Sequence, residues 1–285
     1  MSGLTGGIAY TPSLGSPANI EFGVTDANGV RWTIADLAGD DGPPLHGQVV
    51  PSAGDHGGLA TPQFAGARLL TLTLQIIAPT PAARDVARAQ VAMAFPINDL
   101  ATFRIDESIP KQMYVRRSGE IPGPKSADSD VRLIIGLVAP DPRKYGTVLH
   151  TATATQASAA AGLAPPLTPP FTLPAGAPPM AVAVTNAGSF ETRPTVTITG
   201  PITAPAVVNQ TTGAAVSFSG MTLAASDQLV VDLLAKQSYL NGVYRTADIS
   251  SSWWSLPQNA TTTVQVTGTG ATGSTMTVAW RDAWI

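Results

Sequence analysis

The feature that most constrains the fold is the stretch 146–190, which contains no Asp, Glu, Lys or Arg. Inside it, residues 159–179 hold seven prolines, each of which fixes φ and removes a backbone donor. Such a segment is extended and stiffer than a Gly/Ser linker. We therefore predict an N-terminal domain over 1–150, an extended connector over 151–180 and a C-terminal domain over 181–285.

Charge is distributed unevenly between the two halves of the chain. Residues 1–145 carry 12 Lys or Arg and 14 Asp or Glu, whereas residues 146–285 carry 4 and 5. The net charge of −3 provides no basic face of the kind that nucleic acid requires. The densest basic group, Arg116-Arg117, has carboxylates close by and indicates a solvated surface. We expect no nucleic-acid partner.

Composition also excludes several kinds of site. The chain has no Cys, which excludes disulfides, thiolate metal sites and a cysteine nucleophile. Its first fifteen residues lack the basic and apolar regions of a secretory signal, and no window is as apolar as a membrane span. We expect a protein that is made in the cytoplasm and is not inserted into a membrane.

Short alternating runs of apolar and β-branched residues, separated by Gly, Pro and Asn, predict an all-β chain. The spacing of these runs in the second half is typical of an antiparallel sandwich. Hairpin turns are predicted at Asn28-Gly29 and Asn241-Gly242, because both residue types tolerate positive φ. The principal predicted strands are 67–76, 101–105, 112–115, 131–138, 195–199, 215–218, 229–233, 264–266 and 275–280.

One helix is predicted near 81–95. Thr80 suits the N-cap and Pro81 suits the first helical position, and the residues that follow are rich in Ala, Arg, Gln and Met. Because residues at helical spacing share a face, we expect Val86, Gln90 and Met93 on the face that packs on the sheet. Ala82, Ala89 and Ala94 lie beside them and would make it a face of small residues.

Two catalytic or cofactor motifs occur in the wrong context. Residues 268–273 read G-x-G-x-x-G, but an alternating strand follows them where dinucleotide binding needs a helix. We interpret this segment as a hairpin turn. Ser108 and Lys111 match S-x-x-K, yet Pro110 opposes the helical turn that this pair requires. We interpret this match as chance.

Histidines and carboxylates do not form a convincing site either. His46, His56 and His150 lie in connecting sequence, and only His56 has an acidic neighbour, Asp55. A loop histidine that bonds the backbone is the expected role, and Asp40-Asp41 are expected turn acceptors. We predict no catalytic residue, no cofactor and no metal.

Trp253-Trp254 is a candidate sugar-stacking pair. Adjacent residues in a strand point to opposite faces, so at most one of the two rings is available to a sugar. The alternative is that the inner ring fills the core of the sandwich while the outer ring covers its edge. The sequence leaves both interpretations open.

The order of motifs resembles the distal tail (Dit-type) proteins of siphophages, a family of phage minor tail proteins. The first half ends in D-P-R-K-Y at 141–145, like the ring domain of that family. In the second half, N-A-G at 186–188, an N-Q-T-T-G turn at 209–213 and a terminal W-R strand follow in the family's order. The residues that carry the resemblance are Asp141, Pro142, Arg143, Tyr145, Asn186, Gly188, Pro194, Asn209, Gly213, Asp232, Trp280 and Arg281.

The resemblance implies a β-barrel-like N-terminal ring domain with one helix and a galectin-like C-terminal sandwich. It also implies a homo-oligomeric ring, a hexamer by analogy, located at the tail tip of the virion. Its partners would be the tail tube or tape-measure protein on one side and a tip hub protein on the other. A heterologous interface closes into such a ring when its rotation divides a full turn.

Two other functions compete with a structural ring adaptor. One is a module that binds carbohydrate or the host surface through Trp253 or Trp254. The other is a cell-wall hydrolase, which has the least support because no acid pair or metal cluster stands out. We therefore expect a protein that is not an enzyme.

Overall fold

The computed structural model describes residues 4–12, 17–123, 128–157, 179–245 and 249–285. The chain divides into two compact units, unit 1 (Met1–Thr147, with Ile285) and unit 2 (Val148–Trp284). Strands dominate both units, and the described residues contain one α-helix. The predicted all-β fold class is confirmed. That helix lacks the length and apolar character needed to cross a membrane.

Unit 1 contains twelve strands and the helix among its described residues. The sheet order is β2-β1-β9-β10-β11-β8-β3, with β12 beside β10, and the paired strands run antiparallel. The elements are β1 (Gly6–Tyr10), β2 (Ala18–Phe22), β3 (Arg31–Ala38), β4 (Leu45–His46), β5 (Val49–Pro51), β6 (Gly58–Ala60), β7 (Phe64–Ala65), β8 (Arg68–Ile77), α1 (Pro81–Ala94), β9 (Ala101–Ile105), β10 (Lys111–Arg117), β11 (Asp130–Ala139) and β12 (Lys144–Gly146).

The two edge strands of this sheet, β2 and β3, are joined by the predicted Asn28-Gly29 turn. The N–H of Gly23 donates to the carbonyl of Trp32 at 2.8 Å, so the two edges meet at the turn. The Asp26 carboxylate accepts from the N–H groups of Asn28 and Val30, at 2.8 and 2.9 Å, and Gly29 has φ +76°. The sheet is therefore curved back on itself around one core.

That core is built by strict alternation along the long strands. On β8, Leu70, Leu72, Leu74 and Ile76 are at most 2% exposed. Residues that alternate along a strand share one face, and the facing side of β11 contributes Val131, Leu133, Ile135 and Leu137 to the same apolar cluster. Both strands show the alternation expected from the sequence.

Helix α1 begins as predicted but packs on a different face. The Thr80 hydroxyl accepts from the N–H of Ala83 at 3.1 Å, and Pro81 opens the helix. The expected packing face was wrong: Val86 and Met93 are 65% and 59% exposed. The buried residues are Arg84, Ala87, Val91 and Ala94, and of these the small Ala87 and Ala94 permit a close approach to the sheet.

Unit 2 is a pair of facing antiparallel sheets. One has the order β13-β24-β15-β19-β20-β21, and the other has β14-β23-β16-β17-β22 with β18 beside β16. The elements are β13 (His150–Thr155), β14 (Met180–Asn186), β15 (Thr195–Thr199), β16 (Ile202–Asn209), β17 (Ala215–Phe218), β18 (Thr222–Leu223), β19 (Gln228–Asp232), β20 (Gln237–Leu240), β21 (Val243–Tyr244), β22 (Ile249–Ser251), β23 (Ala260–Thr269), β24 (Thr275–Trp280) and β25 (Ala283–Trp284).

The start of the predicted connector is part of this unit. Residues 151–155, which we expected in the connector, belong to β13 and pair with β24 in register from His150↔Trp280 to Thr155↔Thr275. Their alternation of Thr with Ala satisfies an edge strand as readily as a linker. The proline-rich remainder, 158–178, lies outside the described residues.

Of the two hairpin turns predicted in unit 2, the one at Asn241-Gly242 is present. Asn241 and Gly242 have φ +50° and +80° between β20 and β21, as a type I′ turn requires. Gly268 and Thr269 end β23, and the turn that follows leads to β24, with φ +65° at Gly270 and +84° at Gly273. The two strands belong to different sheets, so the G-x-G-x-x-G segment is a turn between the two sheets, and the interpretation as a hairpin was wrong.

Candidate assembly site

The described residues contain no group of three or more His, Asp or Glu side chains that could hold a metal ion. The histidines are dispersed: His46 lies in β4 and His150 in β13. The His56 backbone N–H donates to the Asp55 carboxylate at 2.7 Å.

A buried arginine stands at the start of β8. Arg68 is fully buried, and its guanidinium donates to the carbonyl of Pro142 through Nε and Nη2, at 3.1 and 3.0 Å, and to that of Asp40 through Nη1, at 2.7 Å. Burial lowers the pKa of Arg68, while the charges of Asp40 and Asp41 oppose that shift. Buried charges need such partners, so Arg68 fixes Pro142 and Asp40 in place.

The D-P-R-K-Y motif surrounds this arginine. The Lys144 ammonium pairs with the Asp40 carboxylate at 2.7 Å, so the expectation that Asp40 is only a turn acceptor was wrong. The Asp141 carboxylate accepts from Arg143 Nη1 at 3.0 Å and from the Tyr145 hydroxyl at 2.5 Å. Burial, with Asp141 beside it, raises the pKa of Tyr145. The motif is a polar corner in which Lys144 and Tyr145 are buried and residues 141–143 are half-buried.

A long hairpin leaves the body of unit 1 from this corner. We call residues 42–67 the arm. Its strands pair as β4 with β7 and β5 with β6, and the Thr61 N–H donates to the Gln48 carbonyl at 2.9 Å between these pairs. The N–H of Gly66 donates to the Pro44 carbonyl at 2.8 Å, so the two ends of the arm are hydrogen-bonded to each other where it leaves the body of unit 1.

None of the arm residues is buried, although many are apolar. Asp55 is its only Asp, Glu, Lys or Arg. Exposed contiguous apolar surface on a protein marks an interaction site. The large apolar side chains that it exposes are Leu45 (62%), Val49 (63%), Val50 (50%), Leu59 (73%) and Phe64 (70%).

A second exposed apolar surface lies on α1 and the segment after it. We call this surface, formed by Val86, Met93, Ile97 and Leu100, the α1 patch; its side chains are 48–65% exposed. Val86 also lines a cavity of about 330 Å³, together with Pro79, Ala83 and Gln90. Unit 1 thus presents both a projecting apolar element and an apolar surface with a depression.

In unit 2, Asn186 joins three segments of chain. Its fully buried amide donates to the carbonyls of Phe190 and Pro257, at 2.7 and 3.1 Å, and accepts from the N–H of Gly188, at 3.1 Å. A Cβ on Gly188 would lie 1.9 Å from the Ala283 carbonyl oxygen. The N-A-G motif is therefore a tight corner that only glycine fits.

The W-R-D segment at 280–282 packs against the same corner, the N-A-G motif at 186–188. Trp280 Nε1 donates to the Thr185 carbonyl at 2.9 Å, and Asp282 accepts from the Ala187 N–H at 2.9 Å. The His150 ring stacks on Trp280 with centroids 5.4 Å apart, and its Nε2 lies 3.4 Å from Asp282. The expectation of a loop histidine was therefore wrong for His150, as it was for His46 in β4. Arg281 between them is half-buried.

The remaining motif residues of unit 2 shape turns. The Asn209 side chain accepts from the N–H groups of Thr211 and Thr212, and Gly213 has φ +74°. The Asp232 carboxylate accepts from two N–H groups of the following turn, at 2.8 and 2.9 Å. The backbone carbonyl of the buried Pro194 accepts from the Leu233 N–H at 3.3 Å.

The candidate sugar-stacking pair has unequal exposure. Trp254 is 5% exposed and belongs to the core of unit 2, while Trp253 is half-buried and packs against that core. A stacking platform needs an exposed ring face, which Trp254 does not offer. These exposures fit the alternative interpretation, in which the inner ring fills the core of the sandwich and the outer ring covers its edge.

Sequence reasoning missed Arg68 and the arm. A signal for Arg68 was present, since it shares the parity of Leu70 and Leu72 along β8 and therefore points inward with them. The arm lacks such a signal because its short strands are interrupted by Gly and Pro, which indicate a loop.

Comparisons with known proteins agree with the motif order. Residues 187–284 match the family model "Siphovirus-type tail component, C-terminal domain". The fold is similar to that of the phage SPP1 Dit protein (gp 19.1), described as a paradigm of hub adsorption apparatus in phages that infect Gram-positive bacteria. The TM-score is 0.60 with 16% identity, covering 89% of this chain and 94% of the other.

A chain of the phage P2 baseplate, in its activated conformation with Ca, is also similar, with a TM-score of 0.55 and 9% identity over 97% of both chains. No curated protein sequence matches the chain. At sequence identities of 16% and 9%, the similarity to these two solved structures shows the fold alone. Residues 187–284 therefore match the siphovirus-type tail component family, and the resemblance of the chain to Dit-type distal tail proteins is confirmed.

Proposed function

We propose that this protein is a ring adaptor of a siphophage tail tip, joining the tail tube to the distal tip or baseplate proteins. The observation that supports the proposal most directly is the family match over 187–284 together with the Dit-like fold. The motif residues of unit 2 act in corners and turns, which gives them structural roles and requires no catalytic group. We accordingly propose that the protein is not an enzyme.

The surfaces of unit 1 suit assembly. An isolated two-stranded hairpin is marginally stable in water, yet the arm exposes five large apolar side chains. Oligomers cover such surfaces with a neighbouring subunit. The ring would be a hexamer by family analogy, with the tail tube or tape-measure end above it and a tip hub protein below.

Mass photometry of the purified full chain, with negative-stain microscopy, tests the ring. We expect a species at six times the chain mass of 29.2 kDa and annular particles of one size. Monomer at all concentrations, both alone and after mixing with purified tail tubes, would refute the ring. Labelling of intact virions with antibody against the chain should place it at the tail tip, whereas labelling elsewhere would contradict that location.

A further inference from the structure

We propose that unit 2 binds one buried water molecule, which joins the side chains of Asn209, Trp254 and Thr262 at one end of the sandwich. The site does not depend on the proposed ring, because it lies within the core of a single unit. The water attaches the segment 252–259 to strands β16 and β23.

The first support is a set of buried polar atoms without a protein partner. Asn209 Nδ2, Trp254 Nε1 and Thr262 Oγ1 form no hydrogen bond with any described residue. Asn209 and Thr262 are fully buried and Trp254 is 5% exposed, so bulk water does not reach these atoms. Because an unsatisfied buried polar group is costly, native proteins pair such groups with the protein or with ordered water.

Asn209 and Thr262 also face the same space. Asn209 on β16 is opposite Val264 on β23, and Thr262, two residues before Val264, shares its inward face. Diagonal neighbours of this kind have Cα atoms about 7–8 Å apart. Two hydrogen bonds of about 2.9 Å that share one oxygen join atoms about 5 Å apart. This is a separation that the two side chains can reach from such positions.

The turn after β16 fixes the orientation of the Asn209 amide. Its Oδ1 accepts from the N–H groups of Thr211 and Thr212, at 3.0 and 3.2 Å. A flipped amide would lose both hydrogen bonds, since a nitrogen cannot accept them. The Nδ2 donor is therefore the end of the amide that is left for the core.

The path of the chain brings Trp254 to the same end of the sandwich. Before Trp254, the Ser252 N–H donates to the carbonyl of Ala215, the first residue of β17, at 2.8 Å. After it, the chain enters β23 at Ala260. Because β16 lies between β17 and β23 in the sheet, the segment crosses the end of β16 at which Asn209 lies. The Trp254 ring belongs to the core under that sheet.

The chemistry of these groups selects water. The Asn209 amide nitrogen and the Trp254 indole nitrogen can only donate, so their common partner must accept two hydrogen bonds, which excludes a cation. A water oxygen accepts both, and its protons are left for the hydroxyls of Thr262 and of Thr192. Thr192 is also buried without a partner for its hydroxyl among the described residues, and its N–H donates to the Leu256 carbonyl at 3.0 Å. An anion would add a buried charge that none of these side chains neutralises.

A crystal structure of the full chain, at a resolution that shows ordered water, tests the site directly. We expect an oxygen within about 2.7–3.2 Å of Asn209 Nδ2, Trp254 Nε1 and Thr262 Oγ1. Direct hydrogen bonds among the three side chains, or an ion recognised by its anomalous signal, would overturn the inference.

A double-mutant cycle measures the same bridge in solution. Trp254→Phe removes the indole N–H but keeps an aromatic ring, and Thr262→Val removes the hydroxyl but keeps the shape. We expect the double variant to change the equilibrium constant of unfolding by a factor that differs from the product of the single factors by about fivefold or more. The matched control pairs Trp254→Phe with Thr185→Val. Thr185 is exposed, so these two factors should multiply to within about twofold.

The two measurements together decide the inference. It is wrong if the crystal structure shows no water at this position, or if Thr262→Val combines with Trp254→Phe as independently as Thr185→Val does. Circular dichroism confirms that each variant folds, and the crystal structure decides alone if one does not. Neither result bears on the ring, which mass photometry tests separately.

Discussion

At the residue scale, Arg68 is a fully buried cation held by backbone carbonyls rather than by a carboxylate. Arg68→Met keeps the apolar stem but leaves the carbonyls of Pro142 and Asp40 without their donors. Since each unsatisfied buried polar group costs about 1–3 kcal/mol, we expect the free energy of unfolding of unit 1 to fall by about 2–4 kcal/mol in urea titrations.

Arg104→Met is the matched control for this prediction. Arg104 is also ion-paired, with Glu21 and Asp106, but its side chain is 38% exposed. Exposed pairs contribute about 0–1 kcal/mol, so the control should cost under about 1 kcal/mol. Equal losses in the two variants would show that the carbonyl contacts of Arg68 do not stabilise the fold.

Tyr145 provides a pH-dependent prediction at the same scale. Its buried hydroxyl donates to Asp141, and burial raises its pKa in the folded state. A raised folded pKa contributes stability that is present below the unfolded value of about 10 and is lost as pH rises beyond it. Unfolding of the wild-type chain should therefore become easier above about pH 10.

Tyr145→Phe should reduce that alkaline loss. At pH 7 the variant should be less stable by about 1–3 kcal/mol, because the Asp141 carboxylate loses a donor. The difference between variant and wild type should shrink as pH rises above 10, as measured by chemical unfolding at each pH. A difference that stays constant up to pH 12 would contradict the role of the Tyr145 hydroxyl.

Residue types explain which of these sites the sequence could reveal. The corner at Asn186 and Gly188 was recognisable because its motif recurs in a family. The parity of Arg68 with Leu70 indicated that it points inward, but its acceptors could not be recognised, because they are backbone carbonyls at positions 40 and 142, which every residue type carries. The partner of Asp40 was misjudged for a related reason, since Lys144 is distant in the chain.

At the element scale, α1 offers a matched pair of substitutions. Val91 is fully buried, whereas Val86 on the same helix is 65% exposed. Val91→Ala should lower the free energy of unfolding by about 2 kcal/mol through lost burial and a cavity. Val86→Ala should change it by less than about 0.5 kcal/mol, because it removes no buried contact and alanine favours the helix.

The same helix shows what the periodicity of the sequence can and cannot predict. Its bounds and its cap followed from Thr80, Pro81 and composition. Its buried face did not, because Val86 and Met93 were expected on it, whereas Ala87 and Val91 are buried there instead. Helical spacing defines faces but not which face is covered, and Val86 and Met93 lie on the exposed one. A larger effect of Val86→Ala than of Val91→Ala on the free energy of unfolding would contradict this assignment of the two faces.

At the scale of the whole molecule, each unit has an apolar core of its own. Leu72 belongs to the core of unit 1 and Leu229 to that of unit 2, and both are fully buried. Because no residue is shared between the two cores, we expect two unfolding transitions in scanning calorimetry. The uneven distribution of charge along the sequence indicated two domains. The strand β13 could not be predicted, because alternating Thr and Ala suit both a strand and a linker.

Leu72→Ala and Leu229→Ala test this expectation as a pair. Each replaces the same buried side chain and should cost about 2–5 kcal/mol through lost transfer energy and the cavity left behind. If the cores are independent, Leu72→Ala lowers the midpoint of one transition and Leu229→Ala that of the other. A single transition shifted by both substitutions would mean that the units unfold together, and cooperativity of that kind would have to come from contacts outside either core.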